Sequence, residues 1–254
     1  MQFGKGQDVL FLHGWGGSTL SFLGVAKTIS PYYRVTLLDF YGFGRSPRKE
    51  KPLFVEDYAK AVVEIINHYK MNDVILVAHS FGGRVAIRLA SEYGRLLDKI
   101  VLCDSAGVLP RRGLRYYGKV YWHRLLTAIG VSHVGGSEDY RKLSDIDKLT
   151  FKNIVNEDLT PELKKITLPT LLIWGNEDRD TPIYMAKKLR KKIVNSALIV
   201  FKNAGHYAYL DAGELFTRVL LSFFEDNDHE MGDSVHSFSA NGGGVVTVSL
   251  PGAK

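Results

Sequence analysis

The chain has 254 residues, of which 45% are hydrophobic and 24% charged, a balance typical of a globular protein that can bury a substantial core. Its formal charge of +6 is mildly basic, but the lysines and arginines are spread along the chain, so we expect no nucleic-acid partner. No apolar run reaches the roughly 18 residues of a membrane span, the first residues have no signal-peptide pattern, and Cys103 is the only cysteine, so the sequence predicts a cytoplasmic protein without disulfides.

Short apolar runs alternate with longer amphipathic ones along the chain. Strands are predicted at 8–12, 34–39, 73–78, 99–104, 169–174 and 197–201, and helices at 54–69, 82–93, 183–193 and 213–224. The strand runs show little polar alternation, which suits a sheet covered on both faces. This alternation predicts an α/β fold with a doubly wound, mostly parallel sheet.

Residues 107–165 interrupt the alternation, because they contain helical patterns and no convincing strand. An insertion of this length predicts a small helical cap, with the core formed by 1–106 and 166–225. Its aromatic residues include Tyr117, Tyr121 and Trp122. The segment is interpreted either as an amphipathic helix packed on the core or as a lid whose apolar face touches a substrate.

The tail, residues 226–254, begins with a polar stretch that resembles a linker. Asn241-Gly242 then lies between two strand-like runs, a strong local signal for a hairpin. We therefore expect residues 234–250 to form an antiparallel hairpin at the edge of the core sheet; the alternative is a flexible extension.

The stretch VAHSFGG places Ser80 between a predicted strand and a predicted helix. This is the context of a nucleophile elbow, in which strand and helix approach so closely that the residues two before and two after the serine must be small. Gly82 meets this requirement fully, and Ala78 adds one methyl group.

Two further residues follow later strands, Asp178 in GNEDRDTP and His206 in NAGHYAYLD. The order Ser80, Asp178, His206 is that of a serine hydrolase triad on an α/β sheet, with every member beyond the carboxyl end of a strand. Asp104, at the end of an earlier strand, is an alternative acid, and Asp180 is a second.

An acyl-transfer site also needs donors for an oxyanion. The glycine-rich loop FLHGWGGS offers the amide of Trp15, and the residue after the serine offers the amide of Phe81. No close cluster of histidine, cysteine and carboxylate residues has the spacing of metal ligands, so we expect no metal.

The motifs together resemble the α/β-hydrolase superfamily, in its serine-nucleophile branch with a helical cap. They are LFLHGWGGS, LLDFYGFGRSP, VAHSFGGRVAI, LCDSAG, LPTLLIWGNEDRDTP and NAGHYAYLD, and they extend from about residue 8 to 224. The resemblance implies an enzyme without a cofactor that hydrolyses a small-molecule ester. It also implies supporting roles for His13 and His79, which lie in the glycine-rich loop and the elbow. The substrate pocket is expected to include His13, His79, Tyr117, Tyr121, Trp122 and Tyr207.

Within this superfamily the serine argues against the dehalogenases and epoxide hydrolases, which use aspartate at that place. A carboxylesterase for small or medium acyl esters is the favoured function. Carbon–carbon bond hydrolases of dienoate ring-fission products are an alternative, although they commonly have a proline in the loop that here reads HGWGGS. A non-catalytic small-molecule-binding protein of the same fold is another, and the sequence leaves the oligomeric state open.

Members of this superfamily usually begin with two strands before the oxyanion loop, whereas Met1 stands only a few residues before the first predicted strand. We therefore expect the C-terminal hairpin to replace those strands, in the manner of a circular permutation.

Overall fold

A computed structural model describes residues 1–109 and 143–225, together with the backbone of 245–248. Its strands are β1 (Gln2–Phe3), β2 (Asp8–Leu12), β3 (Arg34–Leu37), β4 (Val74–His79), β5 (Leu97–Cys103), β6 (Thr170–Gly175), β7 (Ser196–Phe201) and β8 (Val245–Val248). They form one eight-stranded sheet in the order β1-β3-β2-β4-β5-β6-β7-β8. Only β1 is antiparallel to its neighbour, and every other pair is parallel.

Helices cover both faces of this sheet. They are α1 (Leu23–Ile29), α2 (Val55–His68), α3 (Phe81–Tyr93), α4 (Asp145–Asn156), α5 (Tyr184–Lys192), α6 (Ala208–Asp211) and α7 (Gly213–Glu225). Residues of α2, α3 and α5 pack in one buried cluster, and residues of α1, α6 and α7 pack in another. The architecture is therefore a three-layer α/β fold, as the sequence predicted.

Alternation along a single strand explains how one sheet serves both clusters. In β2, Leu10 and Leu12 belong to the cluster with α2 and α3, whereas Val9 and Phe11 belong to the cluster with α1 and α7. All four side chains are at most 1% exposed. A strand buried on both faces is apolar along most of its length, which is why these runs lack polar alternation.

The six strands and four helices predicted within the core lie within two residues of their predicted bounds. The sequence analysis did not predict β1 or α1. The first has only two residues, too few to show a period, and the second has seven and follows directly on the glycine-rich loop.

The tail differs from its predicted arrangement. Strand β8 joins the sheet at an edge, but it runs parallel to β7, with Leu198 opposite Val245 and Phe201 opposite Val248. It also lies at the edge opposite β1, so it does not take the place of strands that precede β2. A strand reached from β7 through α7 forms a crossover connection, which produces a parallel neighbour, whereas an antiparallel hairpin partner must follow a tight turn. The first half of the expected hairpin, 234–244, lies outside the described residues.

Part of the expected cap is described. Within 107–165 the structure contains α4 and a short 3-10 turn at Glu162–Lys165, while residues 110–142 lie outside the described part. The side chain of Ser144 caps α4 by accepting a hydrogen bond from Asp147 N at 3.1 Å. Across the described chain no helix combines the length and apolarity that crossing a membrane requires.

Candidate active site

Ser80 lies on the tight turn between β4 and α3, with φ +49° and ψ −110°. This backbone conformation costs a non-glycine residue about 1–3 kcal/mol. The end of β2 packs against the turn so closely that a Cβ on Gly82 would lie 2.5 Å from Leu12 O. Ala78 is fully buried in the cluster that contains α2 and α3, so the core accommodates its methyl group. The turn therefore has the geometry of a nucleophile elbow, and glycine is required at position 82.

Three side chains meet at the carboxyl edge of the sheet. His206 Nε2 lies 2.9 Å from Ser80 Oγ, and His206 Nδ1 lies 3.0 Å from Asp178 Oδ2. Each comes from a different loop, after β4, after β6 and after β7, and the carboxyl ends of these parallel strands converge at one edge. The structure thus brings together the three residues that the sequence analysis selected.

A compact turn holds the carboxylate of Asp178. Its Oδ1 accepts hydrogen bonds from Asp180 N at 2.8 Å and Thr181 N at 2.9 Å, and its Oδ2 accepts one from the Thr181 hydroxyl at 2.6 Å. The carbonyl of Thr181 in turn accepts a hydrogen bond at 2.6 Å from the indole of Trp174, a buried residue of β6. The orientation of Asp178 toward His206 is therefore determined by its own turn and by the strand beneath it.

Charge and burial oppose each other in this pair. Burial raises the pKa of Asp178, but the hydrogen bonds from His206 and Thr181 outweigh it and bring that pKa below its ordinary value. Burial lowers the pKa of His206, but the hydrogen bond and negative charge of Asp178 outweigh it, so that pKa is raised. Both shifts favour an imidazolium beside a carboxylate, the state that forms when the histidine takes a proton.

Asp104, the alternative acid, has other partners. It is fully buried, and its two carboxyl oxygens accept hydrogen bonds from Gly175 N at 2.8 Å and Ala208 N at 3.0 Å. Burial raises the pKa of Asp104 to about 7 despite those two donors. Among the described residues its carboxyl makes no hydrogen bond to His206. Asp104 therefore ties the end of β5 to the end of β6 and to the start of α6.

The two amides expected to bind an oxyanion lie on either side of the elbow. Trp15 follows β2 in the glycine-rich loop, and Phe81 begins α3, where backbone N–H groups have no partner within the helix. Neither amide donates a hydrogen bond to any acceptor in the described parts of the chain. The indole of Trp15 contacts the rings of Phe43 and Phe151 at 4.9 and 5.1 Å, which hold the loop in place.

His13 differs from its expected place in the pocket. It is 2% exposed, its Nε2 accepts a hydrogen bond from Phe40 N at 3.1 Å, and its Nδ1 lies 2.7 Å from Gly14 O. Burial lowers the pKa of His13, so the ring is neutral and both nitrogens are used by the backbone. The buried ring therefore connects the glycine-rich loop at Gly14 to the backbone at Phe40 and does not face the cavity.

His79 also has a supporting position, and it does line the site. Its Nε2 lies 2.7 Å from the carbonyl oxygen of His206. Burial, reinforced by the neighbouring His206, lowers the pKa of His79 to about 3, so the neutral ring donates its Nε2 proton to that carbonyl. The bond anchors the loop that carries His206 to the strand that carries Ser80.

The side chains of Ser80 and His206 open into a cavity of about 780 Å³. Of the expected pocket residues, His79 and Tyr207 line it and His13 does not, while Tyr117, Tyr121 and Trp122 lie outside the described residues. Much of its wall is apolar. The aliphatic and phenylalanine side chains that line it are Ala106, Val108, Phe151, Val155, Met185 and Leu210. A concave apolar site with a few convergent polar groups is the usual form of a small-molecule pocket.

Donor atoms of Asp178, Asp180 and His206 lie within 4.8 Å of one another, as ligands of a metal ion would. Two of these donor atoms already form a hydrogen bond with each other, because Asp178 Oδ2 and His206 Nδ1 are 3.0 Å apart. The set therefore fits a proton relay better than a metal centre.

Two residues of the site were missed from sequence. Thr181 follows the acid by three residues, a spacing at which a side chain and backbone can close a turn around a carboxylate, and this signal was available. Arg84 lines the cavity although it is 5% exposed, and nothing in the sequence distinguished it from a surface arginine of an amphipathic helix.

Comparisons with known proteins identify the family and the fold of the chain. The model of the alpha/beta hydrolase family matches residues 9–219. An uncharacterized hydrolase of Bacillus subtilis (strain 168), YugF, is 29% identical over 246 residues, 86% of this chain and 90% of that protein. The 2-hydroxy-6-oxo-6-phenylhexa-2,4-dienoate hydrolase of Burkholderia cepacia is 26% identical, over 87% and 88%.

Among solved structures, the esterase EaEST from Exiguobacterium antarcticum superimposes with a TM-score of 0.73 at 25% identity, over 89% of this chain and 94% of that one. Since the family match runs from β2 into α7, most of the described core, this chain belongs to the alpha/beta hydrolase family.

Proposed function

We propose that the chain is a serine hydrolase that cleaves a small or medium carboxylic ester through an acyl-enzyme. The observation that carries the proposal is the unbroken hydrogen-bonded series from Ser80 through His206 to Asp178 at the wall of the 780 Å³ cavity. In this proposal the three residues are nucleophile, general base and orienting acid.

The first half of the reaction forms the acyl-enzyme. His206 Nε2 takes the proton of Ser80 Oγ as that oxygen bonds to the ester carbonyl carbon, and the carbonyl electron pair moves onto oxygen. The amides of Trp15 and Phe81 donate to this oxyanion; loss of one such donor costs about 10²–10³ in turnover. The carbonyl re-forms, the alkoxide leaves, and His206 returns the proton to it as an alcohol.

The second half uses the same residues on water. His206 takes a proton from a water molecule that attacks the acyl carbon, the bond to Ser80 Oγ breaks, and the proton returns to the serine as the carboxylic acid leaves. The hydrogen bond and negative charge of Asp178, which raise the pKa of His206, stabilise the imidazolium in both halves. Asp178 holds the tautomer in which Nε2 can accept the proton.

The proposal divides the chain into a core, 1–106 and 166–225, and a cap, 107–165, over the cavity. Its support is that Phe151 and Val155, both on α4, line the cavity together with Ser80. Residues 226–254 are treated as an appendage whose one described strand extends the sheet.

Hydrolysis of a carbon–carbon bond in a dienoate substrate is the second candidate. It is favoured by the similarity, over 87% of this chain and 88% of the relative, to the 2-hydroxy-6-oxo-6-phenylhexa-2,4-dienoate hydrolase of Burkholderia cepacia. A serine, a histidine and an oxyanion site serve either reaction, so the substrate decides between them.

The two candidates are separated by kcat/KM on p-nitrophenyl esters from acetate to octanoate and on 2-hydroxy-6-oxo-6-phenylhexa-2,4-dienoate, with Ser80→Ala as the control. We expect turnover of short or medium esters that is absent in the variant. Turnover of the dienoate alone would replace the ester proposal. Reaction of Ser80 with a fluorophosphonate, without turnover of either series, would indicate a binding protein of this fold.

A further inference from the structure

Arg84 is a buried cation in the wall of the cavity. It lies near the start of α3, four residues after Ser80. The residue is 5% exposed yet lines the same cavity as Ser80, among the apolar side chains of Val108, Val155 and Met185. Its uncovered surface is therefore turned to the cavity and not to the outside of the protein.

Arg84 has no carboxylate partner in the described chain. Its guanidinium donates to Glu157 O at 2.7 Å and to Val155 O at 3.4 Å, both of which are backbone oxygens at the end of α4. The carboxylates nearby are engaged elsewhere: that of Glu157 accepts from Arg88 at 2.6 Å, and that of Asp158 accepts from the Thr160 hydroxyl at 2.5 Å.

Arg88, one turn further along α3, is paired with carboxylates. It lies within 2.7 Å of Glu92, 2.6 Å of Glu157 and 3.4 Å of Glu162, and it is not among the residues that line the cavity. The two arginines share a helix, but of the two only Arg84 forms no ion pair with a carboxylate of the described residues; the charges of Glu157 and Asp158 act on it without such a contact. Burial of a cation in this way is costly unless an anion joins it.

We infer that Arg84 binds the carboxylate of the substrate, so that the preferred esters carry a free carboxylate besides the ester group. This inference rests on the proposed function, since it names the substrate class of the same site. The guanidinium has five N–H donors in a planar fork that matches a carboxylate, and its bonds to two carbonyl oxygens leave the remaining donors for the ligand.

The inference is tested first by binding, in the Ser80→Ala variant, which cannot turn the ligand over. Calorimetry compares monomethyl adipate with its uncharged monoamide, and 4-acetoxybutanoate with 4-acetoxybutanamide. The first pair places the carboxylate on the acyl side of the ester and the second on the alcohol side. We expect the charged member of one pair to bind at least about tenfold more tightly, as one charge-assisted contact in a buried site would give.

Variants of the two arginines assign the effect. Arg84→Gln should abolish the charge preference, Arg84→Lys should keep part of it, and Arg88→Gln should leave it intact. Thermal unfolding checks that each variant is folded; if Arg84→Gln is not, the lysine variant and the Ser80→Ala comparison decide.

Equal binding of charged and uncharged members in both pairs would overturn the inference, and so would a preference that persists in Arg84→Gln. Wild-type hydrolysis of the uncharged esters is measured alongside. Hydrolysis of the uncharged esters, without tighter binding of the charged ligands, contradicts the role of Arg84 and supports the ester hydrolase proposal. Charge-selective binding with no turnover of any ester supports the role of Arg84 and contradicts the ester hydrolase proposal.

Discussion

The turns after β5 and β6 each present a buried aspartate at the same edge of the sheet, and they use it in opposite ways. Asp178 accepts three hydrogen bonds from its own turn and a fourth contact from His206, and its pKa is lowered. Asp104 accepts two backbone N–H groups from other elements and a weak hydrogen bond from the Cys103 thiol at 3.2 Å, and its pKa is raised to about 7.

The difference shows that burial alone does not make a carboxylate useful to a catalytic histidine. Burial favours the neutral form of both acids, and only a sufficient number of donors to the charged form reverses it. Asp178 has donors from two directions, whereas Asp104 serves as a brace between strands. Each prediction below depends on this assignment.

The largest difference is expected between Asp178→Asn and Asp104→Asn, which replace each aspartate by its amide. Asp178→Asn should lower kcat/KM on p-nitrophenyl butyrate by about 10⁴, because the histidine then loses both its tautomer and its counter-charge. Asp104→Asn, the matched control, should lower it by less than about tenfold. Similar losses in the two variants would remove the distinction between the turns.

Thr181 sharpens the comparison from within one turn. Thr181→Val removes the hydroxyl that lies 2.6 Å from Asp178 Oδ2 and keeps the volume of the side chain. A single hydrogen bond to a charged group corresponds to about 1.5–3 kcal/mol, so kcat should fall by roughly 10- to 100-fold. An unchanged kcat would mean that the backbone amides alone orient Asp178.

The pH dependence of stability should separate the two acids in sign. A raised pKa gives Asp104 a contribution that is complete below pH 3.8 and lost as pH rises toward about 7. The stability gap between wild type and Asp104→Asn should therefore shrink from pH 4.5 to 6, by up to about 1.4 kcal/mol per pH unit.

Asp178 is the control for that measurement. Its lowered pKa gives a contribution that is present above the unfolded value of 3.8 and lost only as pH falls through the folded value. In Asp178→Asn the pKa of His206 falls, because the hydrogen bond and charge that raise it are lost. The comparison is therefore made between pH 3 and 4, below the titration of the histidine, where the gap between wild type and Asp178→Asn should widen as pH rises. Urea unfolding supplies both gaps, and parallel slopes would contradict the assignment.

The smallest effect concerns the pH profile of activity. His206 must be neutral to take the serine proton, and its pKa is raised, so kcat/KM should fall as pH drops through a value above 6.5. The charge of Asp104 also raises that pKa, but less than Asp178 does. Asp104→Asn should therefore move the acid limb to lower pH by less than about one unit. A limb that does not move, or moves upward, would show that Asp104 does not act on His206.

The sequence predicted the part of the site that follows from strand order. Ser80, Asp178 and His206 each come just after a strand, and parallel strands end at one edge, so their proximity could be inferred without coordinates. Chain order favoured Asp178 over Asp104 but left Asp104 open, because both residues follow buried strands. The three-dimensional path of the His206 loop decides which carboxylate the histidine contacts.

Arg84 and β8 show a second limit. The burial of Arg84 depends on the packing of the end of α4 against α3, a contact between residues some 70 positions apart. The Asn241-Gly242 pattern predicts a local turn. The partner and direction of β8, which pairs in parallel with β7, depend on packing between distant parts of the chain. Patterns of sequence report local geometry, and these features are set by distant packing.

The central claim, that Ser80 is a nucleophile activated through His206 by Asp178, is tested most directly by the rate of fluorophosphonate labelling, followed by intact mass, with the adduct located by peptide mapping. The account predicts one adduct on the peptide that contains Ser80, none in Ser80→Ala, slow labelling in Asp178→Asn, and a nearly wild-type rate in Asp104→Asn. An unlabelled wild type, or fast labelling of Asp178→Asn beside slow labelling of Asp104→Asn, would contradict it.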